Sequence, residues 1–224
     1  METPERDPTR DVHAEAIVDL LGALAYGELC AFERLAADSG LAPTLADRAQ
    51  LALMAASAMG HYDLLTQHLS ASGVDPQAAM EPFVGPVDTF HELTQPSSWL
   101  EGLVKAYVGD GIARDFYREV ATYLGDEPTK DLVQKVVAGG DPAAFVVDRV
   151  RAAIAADRTL AGRLALWARR LVGEALTQTQ RAAVERDALI DLVSERGDLS
   201  DLLSLMSRVT AAHEARMAAL GLAS

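Results

Sequence analysis

After Pro4 and Pro8 the chain places prolines at 43, 76, 82, 86, 96, 128 and 142 and nowhere else. An interior proline removes a backbone donor and clashes with the preceding turn, so this spacing confines helices to the long intervals between prolines. The intervals predict helices over about 12–38, 46–72, 99–124, 159–194 and 199–220, with "SGLAPTLAD" turning the first into the second. Between them "SGVDPQAAMEPFVGPVDTFHELTQPSS" predicts a long crossover with room for a short helix. "GDEP" leads into a fourth helix, which "AGGDP" at 138–142 kinks or splits.

Composition agrees with this reading. Apolar residues make up 50% of the 224, mostly alanine and leucine, while aromatics are 5%, a balance that favours helix over sheet. Two helices, a long crossover and two more helices is the connectivity of ferritin-like four-helix bundles, with the additional C-terminal helices packed outside. The expectation is an all-α protein with a flexible tail over residues 1–11 and one helical domain over 12–224. A single cysteine, Cys30, excludes an internal disulfide, and no apolar run reaches the roughly 20 residues of a membrane span or follows the polar N-terminus as a signal sequence. A cytoplasmic home is expected, with no membrane partner.

A net charge of −13 opposes a nonspecific grip on nucleic acid. The charge is uneven: residues 1–110 hold 5 of the 20 basic and 17 of the 33 acidic side chains. Any basic face would therefore come from Arg149, Arg151, Arg158, Arg163, Arg169, Arg170, Arg181 and Arg186, which read more simply as a solvated face of mixed charge.

Polar residues interrupt the apolar stripes. On the first helix Ile17, Leu21, Leu24, Glu28, Ala31 and Leu35 align, so Glu28 occupies a core position. On the second, His61 shares a stripe with Leu51, Met54, Ala58 and Leu65; on the third, Val104, Val108 and Gly111 lead to Asp115. Buried charges need a partner or a metal. In di-metal bundles the ligands include Glu-x-x-His pairs, and here Ala58 stands three residues before His61. Carboxylates with one imidazole suit iron, or manganese, better than structural zinc. Asp141 is a fourth candidate, although Asp before Pro is also the pattern of an N-cap. The alternative for the set is a Glu28–His61 hydrogen-bonded pair with Asp115, a polar network without metal.

Beyond the stripes, Glu174 is expected to pair with Arg170, while His68, His91 and His213 read as surface residues. Cys30 reads as a small buried residue, "GDG" at 109–111 lacks the setting of a phosphate loop, and Trp99 and Trp167 are expected to pack helix ends.

The runs "LLGALAYGELCAFERLA", "MGHYDLL", "LVKAYVGDGIARDFYREVATYL" and "LAGRLALWARRLVGEALTQTQRAAVERDAL" resemble an actinobacterial branch of the ferritin-like proteins over roughly residues 12–220. That branch is in turn similar, across the bundle, to tRNA hydroxylases of the MiaE type, which act on a methylthio-isopentenyl-adenosine beside the anticodon. The resemblance implies a non-haem di-iron fold that uses dioxygen and two electrons to insert a hydroxyl, and tRNA as partner. It carries the ligand positions onto Glu28, Ala58 and His61, Asp115, and Asp141 and Ala144, with carboxylate and imidazole missing at the two alanines. Two functions follow as expectations: an iron-dependent hydroxylase with a reduced site at Glu28, His61, Asp115 and Asp141, or a metal-free scaffold that binds partners, a second copy in a homo-oligomer among them.

Overall fold

The computed structural model describes residues 8–138, 143–185 and 199–223. Helix α1 spans Pro8–Ser39 and α2 spans Leu45–Ala71, and the two pack against each other along their lengths. The helix thus takes in Pro8 to Asp11, which had been expected to belong to the tail. Proline is tolerated in a first turn, where its missing N–H would have no partner. Thr44 caps α2 by accepting from the Asp47 amide, and its hydroxyl donates to the Asp47 carboxylate at 2.7 Å.

The crossover is more ordered than its prolines suggest. Helix α3 covers Pro76–Leu93 with Pro82 and Pro86 inside it. Asp75 caps it and Pro76 occupies its first turn, while Ala79, Met80 and Phe83 are buried. Packing of this face against α1 overrides the proline penalty, as tertiary burial commonly overrides local propensity. The approach of the two helices requires Gly22, because a Cβ there would lie 2.1 Å from the Ala79 carbonyl oxygen.

The expected third helix is one rod in three parts. Helix α4 is Trp99–Val104, a π-helical turn covers Lys105–Gly109, and α5 is Asp110–Ala121. Helices α6 (Glu127–Ala138) and α7 (Ala143–Ala156) lie where the fourth segment is expected, and the kink or split predicted at 138–142 falls, beyond Ala138, outside the described residues. Helix α8 runs Thr159–Glu185 and α9 runs Leu199–Leu220, so the last part of the expected 159–194 helix also lies outside the described residues.

Two apolar cores fill this bundle. One gathers Leu20, Leu21 and Leu24 of α1, Leu65 and Leu69 of α2, Val120 of α5, Val133 and Val136 of α6, and Leu205 of α9. The other gathers Leu35, Leu51, Met54, Leu103, Val108, Val146, Val150, Leu171 and Met217. Each long inner helix passes from one core to the other, and its inward polar residues fall at the crossing: Glu28 on α1, His61 on α2, Asp110 and Asp115 on α5. The result is a polar girdle between two greasy halves. Ile112 packs against both.

Candidate functional site

The girdle is built by the helical stripes already described. Glu28 is 7% exposed, and its Oε2 lies 3.3 Å from His61 Nδ1. The glutamate and histidine, each turned inward by the apolar periodicity of its helix, therefore meet. Beside His61 is a void of about 10 Å³, lined by Leu35, Met54, Ala58, Ala106, Asp110 and Arg114 among others. That is room for about one water molecule and no more. It lies where the side chain lacking at Ala58 would have pointed.

Asp115 takes a different course. It is 8% exposed, with Arg118 Nη1 2.6 Å from its Oδ1 and Arg216 Nη1 2.6 Å from its Oδ2. Arg216 comes from α9 and crosses the surface of α5 at Gly111, where a Cβ would stand 2.8 Å from Arg216 Nε. Glycine at 111 opens the path by which the guanidinium reaches Asp115. The polar network expected to join Glu28, His61 and Asp115 is thus divided: the first two pair, and the third is bound by two guanidinium groups.

Asp141 lies outside the described residues, and its reading as ligand or cap lies there with it. Ala144, the position carried over for the second histidine, is exposed on α7, and so is Asp148 one turn on. In that register the fourth segment turns these positions to solvent rather than into the girdle. Among the described residues no three His, Cys, Asp or Glu side chains gather as a metal site would need. The described donors therefore do not fit a di-iron group: Glu28 and His61 supply one carboxylate and one imidazole, and both oxygens of Asp115 already face guanidinium groups.

Several girdle residues escaped the sequence reading. Arg34 Nη2 pairs with Asp110 Oδ1 at 3.1 Å, and its Nε donates to the Cys30 carbonyl. Both stand one residue off the stripes that drew attention, Arg34 before Leu35 and Asp110 before Gly111. Lys105 is 3% exposed inside the π-helical turn and donates to the Thr94 carbonyl oxygen at 2.7 Å. Burial, with the Arg34 charge second, pushes its ammonium down to about 7.

Other expectations change in their details. Glu174 accepts from Gln178 Nε2 at 2.7 Å, whereas Arg170 reaches the Leu93 carbonyl and lies over the Trp167 ring. An i+4 amide on the same face is closer than a guanidinium drawn across to α3. None of His68, His91 and His213 is a free surface residue. His68 pairs with the Thr129 hydroxyl at 3.1 Å, His91 is pushed down to about 2 chiefly by burial, and burial also lowers His213. Trp99 starts α4 and meets Phe145 edge-on, but Trp167 lies within α8 and donates to the Glu101 carbonyl. Cys30 is buried, and burial raises its thiol to about 11, which suits a packing residue.

The arginines of the second half tie helices together. Arg149 Nε lies 2.6 Å from Asp47 Oδ1, Arg151 reaches the Ala218 carbonyl, Arg163 faces Glu101 and Arg169 reaches the Ala223 carbonyl. Arg186 lies outside the described residues. Among the described residues no helix is long and apolar enough to cross a membrane.

An all-α bundle with one long, helical crossover is the ferritin-like architecture. The family model for the ferritin-like domain of actinomycetes matches residues 11–196, and the chain belongs to that family. No curated protein matches it. The matched span ends before α9, so the helix that delivers Arg216 to the girdle lies beyond it.

Proposed function

We propose that this protein is a ferritin-like scaffold that works by binding, its interior metal positions given over to pairs between its own side chains. The observation that carries this reading is Asp115, held at 2.6 Å by each of two guanidinium groups. Arg118 donates a hydrogen bond to Oδ1, and the Arg216 charge stands 2.6 Å from Oδ2, on the side from which a metal cation would have to approach. Turning it to a metal would leave Arg216 charged and half-buried without its partner, a cost of about 3 kcal/mol or more. Arg34 on Asp110 and His61 on Glu28 repeat the pattern. Each acid of the girdle has a cation or imidazole supplied by the chain.

The test is metal content. Protein from iron-supplemented cells, and apoprotein titrated with ferrous iron without oxygen, is expected to hold well under one iron per chain. His61→Ala is expected to leave that value unchanged. One iron per chain, lost in His61→Ala together with an oxygen-dependent activity, would overturn the scaffold reading.

The approach of Glu28 to His61 favours a second reading, a hydroxylase site for one iron or manganese ion. Glu28 and His61 would hold the ion, and the metal would supply dioxygen activation. The tRNA substrate of this reading rests on the resemblance. Its measurement is binding of tRNA across a range of salt, since phosphate contacts must weaken as salt rises.

A further inference from the structure

Only three of the chain's 20 basic residues are lysines, at 105, 130 and 135. Lys130 pairs with Glu127 near the surface and Lys135 is exposed, as solvated cations ordinarily are. Lys105 is the exception. Its ammonium is held by the Thr94 carbonyl and lies 5.3 Å from the centre of the Phe90 ring, rather than in a direct pair with a carboxylate. The residue sits in a π-helical turn, an irregularity common at functional sites.

Lys105 also lines a cavity of about 90 Å³, together with Arg34, Asp38, Pro96, Gly102 and Asp110. A dry cavity of about 150 Å³ admits benzene, so this one suits only a ligand smaller than benzene. The walls carry two kinds of chemistry. Arg34 is a permanent cation, already shared with Asp110. Asp38 is half-buried, and burial raises its carboxyl above the ordinary range. Gly102 leaves space for it: a Cβ there would lie 2.8 Å from Asp38 Oδ2.

The charged groups around the lysine oppose one another. Burial and Arg34 favour the neutral amine; Asp110 and Asp38 favour the ammonium but do not prevail. His91, whose titration both Arg34 and Lys105 depress, stays neutral. A desolvated lysine beside a second cation is the arrangement by which proteins make an amine nucleophilic near neutral pH.

We propose that Lys105 captures a two-carbon aldehyde acid as a reversible imine in this cavity, with Arg34 receiving the carboxylate and Asp38 relaying protons. The amine nitrogen bonds to the carbonyl carbon and the carbon–oxygen double bond breaks to give a carbinolamine. The former carbonyl oxygen then leaves as water, carrying both amine hydrogens, and the carbon–nitrogen double bond forms. Asp38 donates to the departing oxygen and recovers its proton from nitrogen. No electron is gained or lost, and water reverses the capture. The site is separate from the Glu28–His61 pair, so the inference goes beyond the scaffold reading without depending on it.

The full-length protein is to be incubated with glyoxylate, reduced with borohydride, digested and mapped by mass spectrometry. At pH 7 the carboxymethyl adduct is expected at Lys105 at least about tenfold above Lys130 and Lys135, because an ordinary lysine is almost wholly protonated there. Labelling of Lys105 should rise between pH 6 and 8 and level off, while the other two continue to rise toward pH 10. Lys105→Arg keeps the charge and is expected to lose the adduct, and Asp38→Asn is expected to slow its formation. Labelling of Lys130 and Lys135 at or above the level of Lys105 in the unsubstituted protein would overturn the proposal, whatever the folding of the variants. Iron content does not enter this readout, so its failure and failure of the scaffold reading are distinct.

Discussion

Glu28 and Asp115 arise from the same sequence signal, an acid on an apolar helical stripe, yet the protein treats them in opposite ways. Glu28 meets an imidazole, a partner whose ring nitrogen can also serve as a ligand, and a water-sized void lies beside that ring. Asp115 meets two guanidinium groups, which have donors only and no lone pair to offer a ligand. One half of the girdle is adaptable and the other is locked. Helical periodicity places a side chain inside but is silent about what faces it.

The largest effect is expected at Lys105, the buried charge next to the girdle with no direct ion pair. Its folded-state titration near pH 7 lies well below the roughly 10.4 of an unfolded chain. Below pH 7 both states hold the proton and the cost of burying the ammonium is fully present. As pH rises from 7 to about 10 the unfolded chain alone keeps its proton, so folding is progressively favoured. Relative to Lys105→Met, the unsubstituted protein should gain a few kcal/mol across that interval in urea unfolding. A flat difference would mean that the lysine is not titrating where its burial implies.

Next is the locked half. Arg216→Met is expected to lose about 3 kcal/mol, because Asp115 stays buried with half its partners gone. Arg118→Met should cost under about 1 kcal/mol, since that side chain is 48% exposed. Gly111→Ala joins the two terms: helix propensity favours alanine by about 1 kcal/mol, but the new Cβ displaces Arg216. It should therefore destabilise the parent protein and stabilise Arg216→Met. Equal costs for the two arginines would remove the contrast between anchor and rim.

A smaller effect than that of Arg216→Met belongs to the adaptable half. His61→Ala is expected to cost about 1–2 kcal/mol in urea unfolding, from lost burial and an unpaired Glu28. A loss as large as that of Arg216→Met would mean that this pair too is locked.

Much of this was legible in the sequence. The paired helices, the position of Glu28 and His61, and the bounds of α9 all follow from proline spacing and 3.6-residue periodicity. Helix α3 was not legible as a full helix, because Pro82 and Pro86 argue against one, and only its packing on α1 outweighs them. The π-helical turn was hidden as well, since nothing in "KAYVG" distinguishes it from an ordinary helical turn. Arg34 and Asp110 went unnoticed because each stands one residue from a stripe, where side chains are long enough to bend inward. Arg216 is 101 residues from Asp115 in the chain, and no local pattern connects them.

The sequence by itself determined an all-α bundle of this family and the inward position of three ionisable side chains. These are properties of single helices, set by which residues recur every three or four positions. The tertiary structure decided the partners: His61 for Glu28, Arg34 for Asp110, and Arg118 with Arg216 for Asp115. Electrostatic pairing acts over a few ångströms in space, and the approach of α9 over Gly111, which brings the cation to the acid, exists only once the helices have packed.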